Sequence, residues 1–440
     1  MINFLLTIVI LAASSAMAFK IITSGRFDFA SGTALGFCFF IGGPLFQLLI
    51  TGSINDSALG LPGLAFSSDP DLFLYLFAST ICVAVVYSFP YHSKKIKLKI
   101  LKIKQSRDPA FCYLIIALYF LFAIVSFINS GKYAGGHWME NNHALYSEST
   151  LGVIAGNFYN VLRVAFCGVI IYCEKEGYLE RNKSVAIVLF FCAFELIVSS
   201  NRIMLLFSLI ALFSIFRNQL RAFFIAAVVT LPLLLEFNSV FPMVRGLLWS
   251  EGASFEQARS ALATAYENKN PDGDKLSGVL NSAFESANIL VMRHVIESFP
   301  VSGRYLYGET IYLKSLSFFL PKTIWTDKPV GFNVLMGQQI SGSSVLSLNS
   351  TLLGEAFGNF SWLGPLVFMF NSIIINSIFG LLRGGAYPYL GFFIAFAAWR
   401  FEFSFVVISM FVISFLAISF VLAARVLSFG SRSNKWRLSR

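Results

Sequence analysis

The stretch Met1–Lys20 reads MINFLLTIVILAASSAMAFK, and it carries no charged side chain before its final lysine. A run of this length can cross about 30 Å of hydrocarbon as a helix. Ala16–Met17–Ala18 mimics a signal-peptide cleavage site, but no Lys or Arg precedes the run, and the first positive charges are Lys20 and Arg26. We interpret the stretch as a first transmembrane helix with its N-terminus outside. A signal peptide is the alternative.

Similar apolar runs recur along the chain, which has 440 residues and is 56% hydrophobic and 13% charged. A soluble globular chain has roughly a quarter charged residues. The runs are continuous rather than alternating, and only helices or closed barrels satisfy the backbone in lipid. The sequence therefore predicts an all-α polytopic membrane protein. No basic soluble face accompanies the net charge of +10, so nucleic acid is not an expected partner.

About eleven transmembrane helices are predicted. They begin near residues 2, 31, 71, 111, 151, 184, 203, 221, 362, 386 and 403. Most of the 33 Lys and Arg residues lie in every second connection, and the positive-inside rule places those connections in the cytoplasm. Residues 1–240 are then an N-terminal bundle of about eight helices, 241–361 a large periplasmic loop, and 362–440 the last helices with a basic cytoplasmic tail.

The large loop is too long for a connector and too apolar in places to be disordered, so it is predicted to contain helices that lie at the membrane surface. Within it, Phe318–Pro329 reads FFLPKTIWTDKP. Pro321 is expected to end an interfacial helix, and Trp325 suits the level of the lipid headgroups. Lys322 and Lys328 place cations at the same level.

Several cations are predicted to meet on the outer face. They are Arg202, Arg245, Arg293, Lys322, Lys328 and Arg400. A guanidinium group can bind two phosphate oxygens at once and stays charged. The set therefore indicates a site for an outer-leaflet pyrophosphate lipid. For any single arginine, an interfacial anchor or an ion pair is the alternative, and Arg293 has Glu297 four residues further on. Inside the predicted spans, Arg163 and Glu195 are expected either to pair or to face a polar cavity.

Motifs for metal or nucleotide chemistry are weak. Asn270–Asp274 reads NPDGD, but the closing glutamate of a calcium loop is missing, which favours a polar turn. The four histidines lack metal-ligand spacing, and no phosphate-binding glycine loop occurs. The six cysteines lie in or beside apolar runs, which is typical of small buried side chains. We therefore predict no metal and no cofactor.

Two stretches resemble the Wzy-type O-antigen polymerases, which join oligosaccharide repeat units. They are Tyr305–Asn333, YLYGETIYLKSLSFFLPKTIWTDKPVGFN, and Leu348–Pro365, LNSTLLGEAFGNFSWLGP. Elsewhere the resemblance rests on layout, with many helices and one large outer loop. The family usually has arginine where this chain has Lys322, which keeps the charge but loses the bidentate fork.

The resemblance implies a metal-independent glycosyltransferase of the GT-C type in the bacterial inner membrane. Such an enzyme transfers a growing glycan from undecaprenyl pyrophosphate to the non-reducing end of a lipid-linked repeat unit, at the periplasmic face. The implied partners are undecaprenyl-pyrophosphate-linked oligosaccharides and membrane lipids, and a chain-length regulator and a flippase are further candidates. An O-antigen ligase and a transporter of lipid-linked sugars are the alternatives.

The transfer needs a base for the acceptor hydroxyl, and Glu355 is the favoured candidate. The segment GEAFGNF surrounds this carboxylate with small residues just before the ninth span. Asp327 and His294 are its rivals. The alternative for Glu355 is a carboxylate that merely stabilises a helix start.

Overall fold

The computed structural model describes residues 1–56, 59–68, 70–89, 109–129, 150–198, 203–217, 260, 263, 275–320, 324–342, 346–381 and 385–419. Their structure is mostly helical, with one short hairpin in which β1 Ser53–Ile54 pairs antiparallel with β2 Leu64–Ala65. The described helices are α1 Ile2–Ser24, α2 Phe29–Thr51, α3 Pro70–Ser88, α4 Pro109–Asn129, α5 Thr150–Lys175, α6 Arg181–Val198, α7 Ile203–Ile215, α8 Lys275–Phe284, α9 Ala287–Ser302, α10 (residues 309–319), α11 Phe332–Ser341, α12 Thr351–Phe360, α13 Gly364–Leu381, α14 Tyr387–Ala398 and α15 Phe403–Ser419.

Five helical segments in the described part of the chain are long and apolar enough to cross a membrane. They are Ile2–Ser24, Phe29–Thr51, Pro70–Ser88, Ala155–Lys175 and Thr351–Gly380. Shorter apolar helices occupy Cys112–Ser126, Ile203–Ile215, Tyr387–Ala398 and Phe403–Ser419. The protein is therefore an all-α membrane protein, as its composition predicts. The expected span near residue 221 lies outside the described residues.

The ninth span begins earlier than its hydropathy suggests. The apolar unit comprises α12, a 3-10 turn at Ser361–Leu363, and α13. Gly354 and Gly358 lie on α12, where an added Cβ would come within about 3 Å of neighbouring side chains. These glycines are typical of a loop in sequence, but in the fold they allow close packing of a helix. Glu355 consequently lies inside a helix rather than before one.

Local hydrogen bonds fix the connection between α1 and α2. Gly25 ends α1 with φ of 60°, a conformation that favours glycine. Asp28 then caps α2, because its carboxylate accepts hydrogen bonds from the backbone N–H and the hydroxyl of Ser31, both at 2.8 Å. Arg26 pairs with Asp28 and donates to the carbonyl of Tyr87 at 3.1 Å. The end of α3 is thereby held beside this turn.

Contacts between connections divide the bundle into two ends. At the first, called the basic end, Arg217 donates to the Thr23 carbonyl at 2.7 Å, and the ammonium of Lys175 lies 5.1 Å from the ring centroid of Tyr389. At the opposite end, called the loop end, Arg293 donates to the Gly63 carbonyl at 2.7 Å and Arg400 pairs with Glu285. The described residues of the large loop thus lie at the end opposite Arg217 and Lys175.

The central packing contact joins α2 to α14. A Cβ on Gly32 would come within 3.0 Å of three backbone atoms of Phe392. One turn further on, Gly36 lies against the indole of Trp399, which is fully buried. Small residues permit this close backbone approach between membrane helices. The contact positions Trp399 and therefore the turn that follows it.

A buried polar cluster joins α4, α5 and α6. The hydroxyls of Tyr119 and Tyr159 donate to the Glu195 carboxylate at 2.8 and 2.9 Å. The guanidinium of Arg163 lies over the ring of Tyr159, 5.3 Å from its centroid, and over that of Phe401 at 5.4 Å. The charges expected to form a pair are therefore linked through Tyr159, and Arg163 also reaches the turn at residue 401.

Candidate functional site

A cavity of about 310 Å³ lies at the loop end between α5, α10, α11 and the start of α15. Its volume is at the lower end of the range for small-molecule sites. The described residues that line it are Asn157, Asn160, Lys314, Phe318, Lys328, Asn333, Ser347, Phe401, Glu402, Ser404, Phe405 and Ile408. Amides, cations, hydroxyls and aromatic rings therefore converge on one space.

One wall of the cavity is cationic. Lys314 on α10 pairs with Glu402, which also accepts a hydrogen bond from the backbone N–H of Asn333 at 3.1 Å. Lys328 donates to the carbonyls of Phe318 at 3.4 Å and Leu320 at 2.9 Å. Those carbonyls are at the C-terminal end of α10, where a cation is stabilised by the helix dipole. Two ammonium groups and one carboxylate thus face the same volume.

The facing wall is formed by amides and rings. Asn157 and Asn160 lie one turn apart on α5, in a mostly apolar part of that helix. Phe401 and Phe405 face the cavity from the start of α15, and their rings stack with centroids 4.7 Å apart. Since Asn160 lies about 8 Å along the helix from Ala155, the cavity extends from the loop end into the apolar span.

Glu355 stabilises the turn between α14 and α15 by a hydrogen bond to its backbone. The Glu355 carboxylate accepts a hydrogen bond from the Phe403 backbone N–H at 2.7 Å, and the residue is only 1% exposed. Its other carboxylate oxygen is buried and accepts no hydrogen bond from the described residues. Glu355 is therefore placed behind the cavity wall and fixes the backbone next to Glu402.

The two stretches that carry the family resemblance are joined beside this carboxylate. Asn359 accepts from the Gly308 N–H at 2.9 Å and donates to the Thr310 hydroxyl and to the Glu355 carbonyl, both at 2.8 Å. These partners of Asn359 lie on α12 or at the start of α10. This network aligns α10, and hence Lys314, with the helix that carries Glu355.

The other two predicted bases lie away from the cavity lining. His294 is half-buried on α9, and burial lowers the pKa of its imidazole, an effect that the nearby Glu297 carboxylate partly offsets. Asp327 is exposed on the turn that precedes Lys328. Neither side chain belongs to the described lining of the cavity.

The predicted cations are only partly brought together. Lys328 lines the cavity. Arg293 pairs with Glu297 at 2.6 Å and holds the hairpin loop at Gly63, so it has the ion-pair role that was its alternative. Arg400 pairs with Glu285. It directly precedes Phe401, which lines the cavity. The remaining three, Arg202, Arg245 and Lys322, lie outside the described residues.

Several lining residues were not predicted from the sequence. Asn157 and Asn160 line the cavity and precede Arg163 at intervals of three residues within an apolar run, and that spacing places the three along one helix face. Polar side chains inside a membrane span usually mark a functional surface, so this signal could have been found. Lys314 and Glu402 gave no such signal, because 88 residues separate them.

In the part of the chain that the structure describes, no cluster of three or more His, Cys, Asp or Glu side chains could hold a metal ion. In comparisons with known protein families, curated proteins and solved structures, none matches this chain. The geometry of the site is therefore the guide to its chemistry. Two cations suit a phosphate group, and amides beside aromatic rings suit a polyhydroxyl ligand with apolar ring faces.

Proposed function

We propose that this protein is an O-antigen or polysaccharide polymerase, a membrane glycosyltransferase of GT-C architecture with about eleven transmembrane helices. It transfers a growing glycan from undecaprenyl pyrophosphate to the non-reducing end of a lipid-linked repeat unit. The observation that carries the proposal is the cavity at the loop end, because it combines cations, amides and aromatic rings in one space.

The position of the cavity supports a lipid-linked substrate. It extends along α5 into a segment that is long and apolar enough to cross a membrane. A sugar attached to a polyprenyl chain must be bound at that depth, because its lipid stays in the hydrocarbon. With the basic end in the cytoplasm of a bacterium, the cavity faces the periplasm, where the repeat units are joined. The energy of the pyrophosphate linkage then replaces a nucleotide donor.

Within the proposed reaction, the two walls have different tasks. Lys328 and Lys314 stabilise the negative charge that develops on the leaving pyrophosphate. Asn157 and Asn160 donate to and accept from sugar hydroxyls, and Phe401 packs against the apolar face of a sugar ring. Both groups are needed to place the acceptor hydroxyl against the anomeric carbon.

The deletion phenotype tests the polymerase against its nearest rival. A strain without this chain is expected to carry lipid A core with a single repeat unit, which is seen as loss of the long-chain ladder on a glycolipid gel. Loss of an O-antigen ligase would instead leave bare core. Purified protein is also expected to lengthen polyprenyl-pyrophosphate-linked repeat units in detergent, which a transporter would not do. A deletion strain with a full ladder would overturn the proposal.

A substitution at Gly331 tests the role of the cavity-lining ion pair between Lys314 and Glu402. The φ of −68° and ψ of 148° at Gly331 suit any residue, but a Cβ there would come within 3.0 Å of the Glu402 carboxylate and the Lys314 ammonium. Gly331→Ala is therefore expected to displace this ion pair and to lower the polymerisation rate by about 10²-fold, the cost of a 1 Å misplacement. The rate is measured as glycan elongation by purified protein.

The control for this variant is Gly278→Ala on α8. Among the described residues, no neighbouring atom lies within 4 Å of a Cβ at Gly278, so this variant is expected to elongate glycans at the wild-type rate. If Gly331→Ala also elongated them at that rate, the Lys314–Glu402 pair would have no part in the reaction.

A further inference from the structure

We infer that Glu402 is the carboxylate that accepts the proton of the acceptor hydroxyl, and that Glu355 is a positioning residue for it. This assignment rests on the proposed function, and it gives to Glu402 the role of base that the sequence alone favours for Glu355. Its basis is that Glu402 faces the cavity, whereas Glu355 is buried behind the cavity wall.

Access to substrate separates the candidate bases. A general base must come within roughly 2.6–3.2 Å of the proton it removes, or act through one water. Glu402 is the acidic residue among the described residues that line the cavity. Asp327 and His294 belong to the loop end but not to this lining. A substrate in the cavity therefore meets Glu402 first.

The Glu402 carboxylate is already oriented. Oε1 accepts from the Asn333 N–H at 3.1 Å, and Oε2 accepts from the Lys314 ammonium and from the Ser404 hydroxyl at 3.3 Å. An ionised carboxylate has about four lone-pair sites. Contacts from the described part of the chain occupy three of them, which leaves one site for a hydroxyl of the acceptor sugar.

Glu355 holds the backbone that carries Glu402. Its carboxylate accepts from the N–H of Phe403, the residue that follows Glu402. With an exposure of 1%, Glu355 acts on substrate only through this turn.

The transfer breaks one bond and forms another. The bond between the anomeric carbon of the donor glycan and its pyrophosphate oxygen breaks, and the electron pair leaves with undecaprenyl pyrophosphate. The acceptor hydroxyl oxygen forms the new bond to that carbon. Its proton passes to the free lone-pair site of Glu402, and solvent at the loop end takes it up afterwards. Lys314 pairs with Glu402 before the step and stabilises its position.

The first test compares two isosteric variants in a glycan-elongation assay with purified protein. Glu402→Gln is expected to slow elongation by about 10²–10⁴, the usual contribution of a general base. Glu355→Gln keeps an oxygen that accepts from the Phe403 N–H, so its elongation rate is expected to fall by about tenfold or less. The reverse order of effects would assign the base to Glu355 and overturn the inference.

A second test separates proton transfer from simple charge pairing with Lys314. Glu402→Ala leaves space for a small carboxylate, so added formate or acetate is expected to restore part of the rate. The more basic acetate should restore more, because proton transfer follows base strength. Chloride can neutralise Lys314 but cannot take the proton, and it is expected to restore nothing. Equal rescue by chloride would leave Glu402 as a counterion only.

The same assays distinguish failure of this inference from failure of the proposed function. If the wild-type protein elongates lipid-linked repeat units and Glu402→Gln does so equally well, the inference alone is wrong. If the wild-type protein does not elongate them, the proposed function is wrong. Should Glu402→Ala not accumulate in the membrane, the comparison of Glu402→Gln with Glu355→Gln still decides the assignment.

Discussion

Replacing Lys328 with methionine is expected to slow glycan elongation by about 10²–10³, the usual cost of losing one preorganised donor to a developing negative charge. Methionine keeps the length of the side chain and removes the ammonium. Lys328 lines the cavity and is held there by the carbonyls of Phe318 and Leu320. Its charge is therefore fixed in place before the pyrophosphate leaves. The measurement is the elongation rate of purified protein at saturating donor.

Two further variants make this result specific. Lys328→Arg keeps the charge and is expected to retain most of the rate. Lys183→Met removes a well-exposed lysine on α6, the helix that starts at the basic end. This lysine pairs with Glu180, just before the helix. Because Lys183 is far from the cavity wall, this variant is expected to leave elongation unchanged. A Lys328→Met protein with the wild-type rate would exclude a role for this cation in the reaction.

Gly32→Ala is expected to destabilise the helix bundle strongly for the addition of a single methyl group. The new Cβ would overlap backbone atoms of Phe392, and backbone of a packed helix cannot rotate away as a side-chain end can. The helices α2 and α14 must separate, which typically costs about 1–3 kcal/mol and sometimes more. The free energy of unfolding in detergent, or the midpoint of thermal unfolding, measures the loss.

Gly278→Ala again supplies the matched control. This glycine lies within α8, where a Cβ would touch no neighbour in the part of the chain that the structure describes, and alanine is the better helix former by about 1 kcal/mol. The control is therefore expected to be as stable as the wild-type protein or slightly more stable. Equal unfolding midpoints for both alanine variants would show that α2 and α14 do not pack closely at Gly32.

Much of the helical layout follows from sequence because each helix in a membrane depends on its own composition. Runs such as Met1–Lys20 satisfy their backbone internally and need no partner to be recognised. The end of α10 is likewise set by the local sequence. The helix ends at Phe319 and Leu320 is extended, as expected for a residue before a proline. The segment GEAFGNF was misjudged because its glycines serve helix packing, which depends on α9 and not on the segment itself.

The candidate site was only partly predictable, for a related reason. The Lys328 segment is distinctive in the sequence for its prolines and cations, and Glu355 for the small residues beside it. Arg293 contacts Glu297 and Gly63 and is not part of the described cavity lining, so its binding of pyrophosphate stays a prediction. Asn157 and Asn160 carried a readable spacing. The pairing of Lys314 with Glu402 could not be predicted, because an ion pair between distant segments leaves no trace in the sequence of either one.

The sequence by itself determined that this chain is a helical membrane protein with its basic connections separated from one large loop. Those properties depend on the transfer of individual segments from water to hydrocarbon, and each segment contributes independently. Tertiary structure alone decided which carboxylate faces the cavity and which is buried behind it. That choice depends on how α5, α10, α12 and the turn before α15 pack together, and the same residues in another packing would exchange their roles.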